Sequence, residues 1–431
     1  MNNAGPSSAL GFRPANRSRN AAFRSALLSR IVGYARLFRP WRRFRAPVAL
    51  LSSVFLAACA TAPERLSNRY PLPLPAAVRF LAKSLYPEAA RPWRDGLDSP
   101  LVIIDPFYLR ETGEAPRVSR RVETLLMDAA DAGVRVRRMS PANLREADYA
   151  LNGRMFQADY RVPGREETEP YWRIQATLVD LTDGKVAAEA EVWVADQELA
   201  VEPIAIHRDS PVFFHHLPRS ARSGPEYVDG LRAAALLAEA EEKYGTGDYA
   251  GALDRLRQIV AADAGPLMKA WSGMYSAHRR LGQTEAMIHA FDRLIAVSVE
   301  RYGVLTIKFL FQVNSTEFWP DPELRRQYDL WLERLGGYFR ERPDPCLLIE
   351  GHCSRTGPET FNARLSLERA LRIQRLLKPH FPEATARSLA VGRGFSETIL
   401  GIGTDDARDL IDRRVAFEII ECDTLNRRRE S

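Results

Sequence analysis

Histidine and cysteine are the residues of this chain whose side chains could act as base and nucleophile, and one pair of them is adjacent. His352 and Cys353 lie in the stretch IEGHCSRTG, between two glycines. An imidazole beside a thiol suggests a cysteine nucleophile with its base. However, the sequence from Cys346 to Cys353 predicts a β-strand, and neighbouring side chains of a strand point to opposite faces. We therefore expect no thiol chemistry here.

Three other histidines, His207, His215 and His216, are spaced by prolines within residues 197–230. Adjacent histidines could bind a metal ion, but no acidic or cysteine residue stands at ligand spacing, so this segment is predicted to be a solvated linker. The chain also lacks a serine elbow and a paired-carboxylate setting. We expect no enzyme, no cofactor and no metal site.

The positive charge of the chain is confined to its first residues. The formal net charge is +6, but residues 1–58 contain ten arginines and no lysine, aspartate or glutamate. The remainder is slightly acidic, so a nucleic-acid partner has no electrostatic support.

The basic stretch leads into the apolar run APVALLSSVFLAA, which is too short to span a bilayer and is typical of a signal peptide. Leu56 to Cys59 resembles a bacterial lipobox, which implies removal of residues 1–58 and lipidation of Cys59. Lipoproteins that stay in the inner membrane have aspartate at the position of Ala60. The resemblance therefore implies that this lipoprotein is anchored in the outer membrane and faces the periplasm. Two alternatives stay open: an uncleaved anchor, and twin-arginine export through Arg42-Arg43.

Residues 59–97 are rich in proline and alanine without a sustained period and are predicted to be a tether. Residues 98–196 predict an α/β domain that ends in a hairpin turning at Asp183-Gly184. The element order and the motifs ADYALNG and LVDLTDGKV resemble the domain shared by the penicillin-binding-protein activator LpoB and the flagellar lipoprotein FlgO. That resemblance implies an interaction module.

Residues 231–300 have a helical period. GDYAGALDRLRQIVAADAGP resembles part of a tetratricopeptide repeat, and Ala286 follows Ala252 by the 34 residues of that repeat. Two such repeats are few for independent stability, so we expect them to lean on a flanking domain or a partner.

The last segment, residues 303–421, predicts alternating strands and helices: strands at 304–313, 346–353, 388–394 and 413–420, and helices at 322–340, 359–378 and 404–411. The run IEGHCSRTGPETFNARLSLERALRIQRLL with the later RRVAFEI resembles the OmpA-like peptidoglycan-binding domain. The whole chain is thus predicted to be multidomain, with an α/β lipoprotein domain, a tetratricopeptide-like helical segment and an OmpA-like α/β domain. The positions that match the family are Gly351, His352, Gly357, Asn362, Leu365, Ser366, Arg369, Ala370, Arg413, Arg414 and Val415.

Helix geometry supports a binding role for this segment. At 100° per residue, Asn362, Ser366 and Arg369 fall on one face beside apolar residues. A guanidinium among apolar neighbours needs an anionic partner. The resemblance implies that this anion is a carboxylate of the peptidoglycan stem peptide, at its diaminopimelate residue. An internal partner, Glu350 or Asp412, remains the alternative.

One position departs from the family. The family loop has aspartate where this chain has Ser354, and that aspartate receives the ligand's ammonium group. Ser354 can donate a hydrogen bond but lacks the charge, so binding is expected to be weak, altered or absent, at a cost of about 1.5–3 kcal/mol.

Three cysteines follow Cys59. If the strands that begin at Cys346 and end at Cys422 run antiparallel, these two could form a disulfide, which the periplasm permits. An odd number leaves at least one thiol unpaired within the chain.

Two functions are therefore open. The first is a non-catalytic outer-membrane lipoprotein that binds peptidoglycan and organises the envelope. The second is a scaffold that holds an unidentified envelope protein, with an OmpA-like domain that no longer binds the wall.

Overall fold

A computed structural model describes residues 66–430 apart from 69, 91–98, 163, 165–166, 196–198, 218–220, 264 and 401–410. The predicted signal peptide, Cys59 and most of the predicted helix 404–411 lie outside the described residues. None of the helices in the described ranges is long and apolar enough to cross a bilayer.

The first part of the chain is a mixed sheet with helices. Its strands are β1 Leu66–Ser67, β2 Leu101–Ile104, β3 Tyr108–Leu109, β4 Arg135–Arg138, β5 Tyr149–Arg161, β6 Thr168–Asp180 and β7 Val186–Val194. The strand order is β1-β7-β6-β5-β2-β4, with β3 paired to β5. Four helices accompany them: α1 Leu74–Ala90, α2 Arg117–Asp128, α3 Pro141–Leu144 and α4 Ala205–Arg208. The predicted turn between β6 and β7 is confirmed, with Gly184 at a φ of 71°.

The predicted tether is wrong over most of the residues that the structure describes there. Strand β1 pairs with β7, and α1 buries Leu74, Val78, Leu81 and Leu85 in the core of the first domain. These residues recur every three or four positions, which is the period of an amphipathic helix. Pro73, Pro75 and Pro87 around them conceal that period.

The predicted solvated linker is also wrong, because most of residues 204–214 are buried or half-buried against the neighbouring domains. His207 is 3% exposed, and its Nε2 lies 3.0 Å from Glu241 Oε1. Val212 forms a β-bridge with Ile307 at the edge of the C-terminal sheet. Apolar residues around the prolines hold the segment against its neighbours.

Four consecutive helices follow: α5 Pro225–Gly245, α6 Tyr249–Ala261, α7 Leu267–Arg280 and α8 Thr284–Val297. Ala252 is fully buried, and Gly247 turns the chain between α5 and α6 with a φ of 86°. The assignment to the tetratricopeptide family stays a prediction. The expected support from a flanking domain is observed, because one hydrophobic cluster joins these helices to the C-terminal domain. Within it, Trp331 Nε1 donates to Tyr275 Oη at 2.9 Å.

The C-terminal part is a four-stranded sheet with helices. Its elements are β8 Val304–Ile307, α9 Pro322–Arg340, β9 Pro345–Gly351, α10 Glu359–Leu377, β10 Ser388–Gly392, β11 Val415–Glu421 and α11 Cys422–Glu430. The strand order is β10-β9-β11-β8, and β11 runs antiparallel to β8 and β9.

Two features of this part differ from the sequence prediction. The strand predicted over 304–313 ends at Ile307, and residues 308–321 form a loop closed by a bridge between Phe311 and Phe318. Helix α11 was not predicted. The hypothesis of a disulfide is confirmed: Cys346 and Cys422 are joined, with their Cα atoms 5.0 Å apart, and Cys353 is a buried free thiol.

Candidate functional site

The first element of the site is the end of strand β9, where a glycine is required. A Cβ atom on Gly351 would lie 1.9 Å from the backbone oxygen of Ser366 on α10. Only glycine lets the helix approach the strand this closely. Gly351 therefore positions α10 rather than contacting a ligand.

The loop that follows β9 is held by its own backbone. His352 N donates to Arg414 O at 2.9 Å, and Cys353 N donates to Gly394 O at 2.7 Å. Gly357 has a φ of 89°, a left-handed conformation that favours glycine. Asn362 Nδ2 donates to Thr356 O at 2.9 Å, so this helix side chain fastens the loop.

Helix α10 buries the face that its sequence predicts. Asn362, Leu365, Ser366, Arg369, Ala370 and Ile373 are all buried. Leu365 is part of the apolar packing, whereas Ser366 Oγ donates to Ala363 O at 2.8 Å and accepts from Gly394 N at 2.9 Å. The predicted face is therefore present, and most of its polar groups hold the surrounding loops.

Arg369 is 1% exposed, and its described hydrogen-bond acceptors are uncharged. Its Nε donates to Ser315 O at 3.0 Å and its Nη2 to Gln312 O at 3.0 Å. Its Nη1 lies 3.5 Å from His352 O, and its Cζ is 5.0 Å from the centre of the Phe311 ring. Backbone carbonyls and an aromatic face thus surround the guanidinium.

The two internal acids considered from the sequence have other described contacts. Glu350 Oε1 accepts from Arg393 Nε at 2.8 Å. Asp412 Oδ1 accepts from Leu400 N at 3.2 Å and also from Ile399 N. Besides His352 O, the described oxygen acceptors of Arg369 belong to Gln312 and Ser315, of which the strand predicted over 304–313 includes only Gln312.

Ser354 is 5% exposed, so the position of the family aspartate is covered. Arg413 and Arg414, which precede β11, are 5% and 3% exposed. Arg414 Nη2 donates to Glu397 O at 3.1 Å, and burial lowers its pKa to about 10. Both arginines are therefore buried beside the loop.

The pair that first suggested thiol chemistry lies beyond the end of the strand, because β9 stops at Gly351. Cys353 Sγ lies 3.5 Å from Asn362 O and 3.6 Å from Arg369 Nη1. His352 Nδ1 lies 3.9 Å from Glu397 Oε2. Burial, and then the charge of Arg414, lowers the pKa of His352 to about 2.

Two groups near the site were missed from the sequence. The loop 308–321 covers Arg369 with the carbonyl groups of Gln312 and Ser315. After burial and Arg414, the charge of His216, a residue assigned to the predicted linker, also lowers the pKa of His352. No local period marks either group, because both reach the site through tertiary packing.

No family model matches this chain. Similar solved structures include the peptidoglycan-associated lipoprotein from Burkholderia pseudomallei, at 23% identity over 26% of this chain and 88% of that one, with a TM-score of 0.22. A putative MotB-like protein from Desulfovibrio vulgaris is 22% identical over 35% and 98%, with a TM-score of 0.25. The cell wall anchor of the type VI secretion system (T6SS) from Pseudomonas aeruginosa is 22% identical over 30% and 96%, with a TM-score of 0.23. These similar domains cover about a third of the chain or less, and with TM-scores this low, function has to be argued from the residues of the chain itself.

Proposed function

We propose that this chain is a non-catalytic lipoprotein of the outer membrane whose C-terminal domain binds the stem peptide of peptidoglycan. The observation that supports this proposal is the meeting of the loop after β9 with the polar face of α10. Gly351, Asn362 and Arg369 meet there as the resemblance to OmpA-like domains implies. The LpoB/FlgO-like domain and the helices would then face the periplasm.

The disulfide supports an extracytoplasmic location independently of any resemblance. Disulfides persist in oxidising compartments such as the periplasm and are rare in the cytosol. Cys346 and Cys422 are joined. A chain with a signal peptide would form this bond after export.

Sedimentation with purified cell wall tests the proposal. The chain from Ala60 onward, which lacks the leader and Cys59, is expected to sediment with isolated peptidoglycan. An excess of diaminopimelate-containing stem peptide should release it, and a stem peptide with lysine at that position should release less. A folded protein that stays in the supernatant at every wall concentration would contradict wall binding.

Ser354→Asp is expected to strengthen wall binding at least tenfold, because it restores the carboxylate that receives the ligand's ammonium group. A charge-assisted hydrogen bond contributes about 1.5–3 kcal/mol. Titration with the stem peptide measures the change. Ser354→Asn, with similar volume and no charge, is the control and should leave the affinity within about twofold of the serine protein. Equal affinities for the aspartate and asparagine variants would place the ligand elsewhere.

A scaffold for an envelope protein is the second candidate, and the burial of Arg369 favours it. The guanidinium is 1% exposed and donates to carbonyl groups of its own chain. A domain whose arginine is engaged internally would serve as structure, while the first domain and the helices hold the partner. Failure of wall sedimentation together with retained folding is the result expected from this candidate.

Cys59→Ala is expected to abolish lipid labelling and to move the protein from the outer-membrane fraction into the soluble periplasmic fraction. The lipobox resemblance makes Cys59 the acceptor of the diacylglyceryl group. Radiolabelled fatty acid and membrane fractionation measure the two effects, with Cys353→Ala as the matched cysteine control. A wild-type protein without label would exclude the lipoprotein.

A further inference from the structure

A small cavity lies between the turn that joins α7 to α8 and one face of α9. Its volume is about 240 Å³, and it is lined by the end of α7, the first turn of α8 and the N-terminal half of α9. Sites for drug-sized ligands measure about 300–1,000 Å³. The cavity is therefore of a size for a smaller molecule.

One wall of the cavity contains a buried amide with an unused donor. Gln327 is 9% exposed, and its Nε2 has no hydrogen-bond partner in the described part of the chain. Its Oε1 accepts from Tyr275 Oη at 3.4 Å, and Tyr275 Oη accepts in turn from Trp331 Nε1 at 2.9 Å. These bonds orient the amide, so that Nε2 is the end that needs an acceptor. A buried donor without one costs about 1–3 kcal/mol.

A guanidinium from α7 supplies a second donor at the same cavity. Arg279 is part of the lining, and its Nε is buried without a hydrogen-bond partner among the residues that the structure describes. Its Nη1 lies 3.9 Å from Glu323 Oε1, which is beyond hydrogen-bond distance. Arginine nitrogens can only donate, so a ligand oxygen in the cavity would satisfy Arg279 and Gln327 together.

The charge of the lining favours an anionic ligand. Arg279 and Arg326 share one lining carboxylate, Glu323, which is 60% exposed and lies closer to Arg326, at 2.8 Å. Asp209 is another acid whose charge acts on Arg279, and it accepts from Arg280 Nε at 2.8 Å. Two guanidinium groups against one carboxylate leave the lining with one net positive charge.

The remaining walls suit a carboxylate with a short aliphatic tail. The first turn of α8 reaches the cavity at Thr284, and no described side chain caps this helix, because Gln283 Oε1 lies 2.6 Å from His278 Nδ1 instead. The positive end of the helix dipole favours an anion there. Met287 and Leu330 add apolar surface, which an inorganic anion would leave uncovered.

We propose that this cavity binds a small aliphatic carboxylate. Arg279 Nε and Gln327 Nε2 donate to its oxygens, and Met287 and Leu330 contact its tail. The ligand touches both the turn between α7 and α8 and the face of α9, so it stabilises the packing of the helical segment against the C-terminal domain. The cavity shares no lining residue with the loop after β9, so the proposal does not depend on wall binding.

Isovalerate is the probe, and isovaleramide, which has the same shape and no charge, is the matched control ligand. At neutral pH we expect the chain from Ala60 to bind one isovalerate with a Kd of about 1 mM or below, measured by calorimetry. Isovaleramide should bind at least tenfold more weakly. The Tm should rise with the logarithm of the isovalerate concentration, above the Tm in sodium chloride of equal ionic strength.

Two variants test the donors. Gln327→Glu keeps the shape of the side chain and its acceptance from Tyr275, but replaces the Nε2 donor with a charge that repels the ligand. Arg279→Met removes the second donor and its charge. Each should weaken isovalerate binding at least tenfold. Arg325→Met, on the exposed side of α9 and outside the cavity lining, removes the same charge and should bind as the wild type does.

If both cavity variants fail to fold, the comparison of isovalerate with isovaleramide on the wild type decides. The absence of saturable isovalerate binding by the wild type would overturn the site, as would equal binding of the amide. Folded Gln327→Glu and Arg279→Met proteins that bind isovalerate as tightly as Arg325→Met would also overturn it.

Discussion

Arg369→Ala is expected to destabilise the C-terminal domain by about 2–4 kcal/mol, because it leaves buried carbonyl groups without their charged donor. Arg369 is 1% exposed and donates to Ser315 O and Gln312 O from the loop 308–321. If a ligand carboxylate were the partner of Arg369 instead, the same variant would weaken wall binding and keep its fold. Urea unfolding followed by far-ultraviolet circular dichroism measures the change in the free energy of unfolding.

Arg372→Ala is the matched control for this variant. Arg372 lies one turn further along α10, its side chain is 21% exposed, and it pairs with Glu317, which is 54% exposed. A surface pair of this kind contributes about 0–1 kcal/mol. If Arg369→Ala and Arg372→Ala unfold at the same urea concentration, the carbonyl contacts contribute little, and Arg369 is left as a ligand-binding residue.

The face of α10 could be predicted from the sequence, whereas the partner of Arg369 could not. The helical period alone places Asn362, Ser366 and Arg369 together, and all three are buried. Two acceptors of Arg369, Ser315 O and Gln312 O, lie more than fifty residues earlier in the chain. The apolar run at 304–313 was read as one strand, and no local signal showed that it leaves the sheet at Ile307.

The segment predicted as a tether shows a different limit of sequence-based prediction. Its helical period is present in the sequence, but prolines obscure it. Leu74, Val78, Leu81 and Leu85 follow the helical period, yet nearby prolines favoured an irregular chain. Proline is tolerated in the first turn of a helix, where Pro75 lies, because the missing N–H group would have no helical partner there.

The histidines of the segment predicted as a linker illustrate another limit, because local periodicity contains no information about long-range packing. His215 follows Val212, which bridges Ile307 at the edge of the C-terminal sheet, whereas His352 lies 137 positions later in the sequence. Metal-ligand spacing around His215 and His216 contains information only about neighbours in sequence. How much of the segment is buried depends on which sheet edge it joins.

Breaking the disulfide is expected to lower the free energy of unfolding by roughly 4 kcal/mol, because the bond closes a long loop of the unfolded chain. Cys346 and Cys422 are 76 residues apart in sequence. The bond joins the start of β9 to the first residue of α11. Urea unfolding of the chain from Ala60, with and without reductant, measures the effect.

The double variant Cys346→Ser with Cys422→Ser should unfold where the reduced protein does and should no longer respond to reductant. Cys353→Ser is the control and should keep the full response, because Cys353 is the free thiol. Alkylation of the denatured protein gives an independent count, with one modified cysteine before reduction and three afterwards. If three cysteines are modified before reduction, in protein purified from an oxidising compartment, the disulfide does not form. The disulfide would then no longer support an extracytoplasmic location.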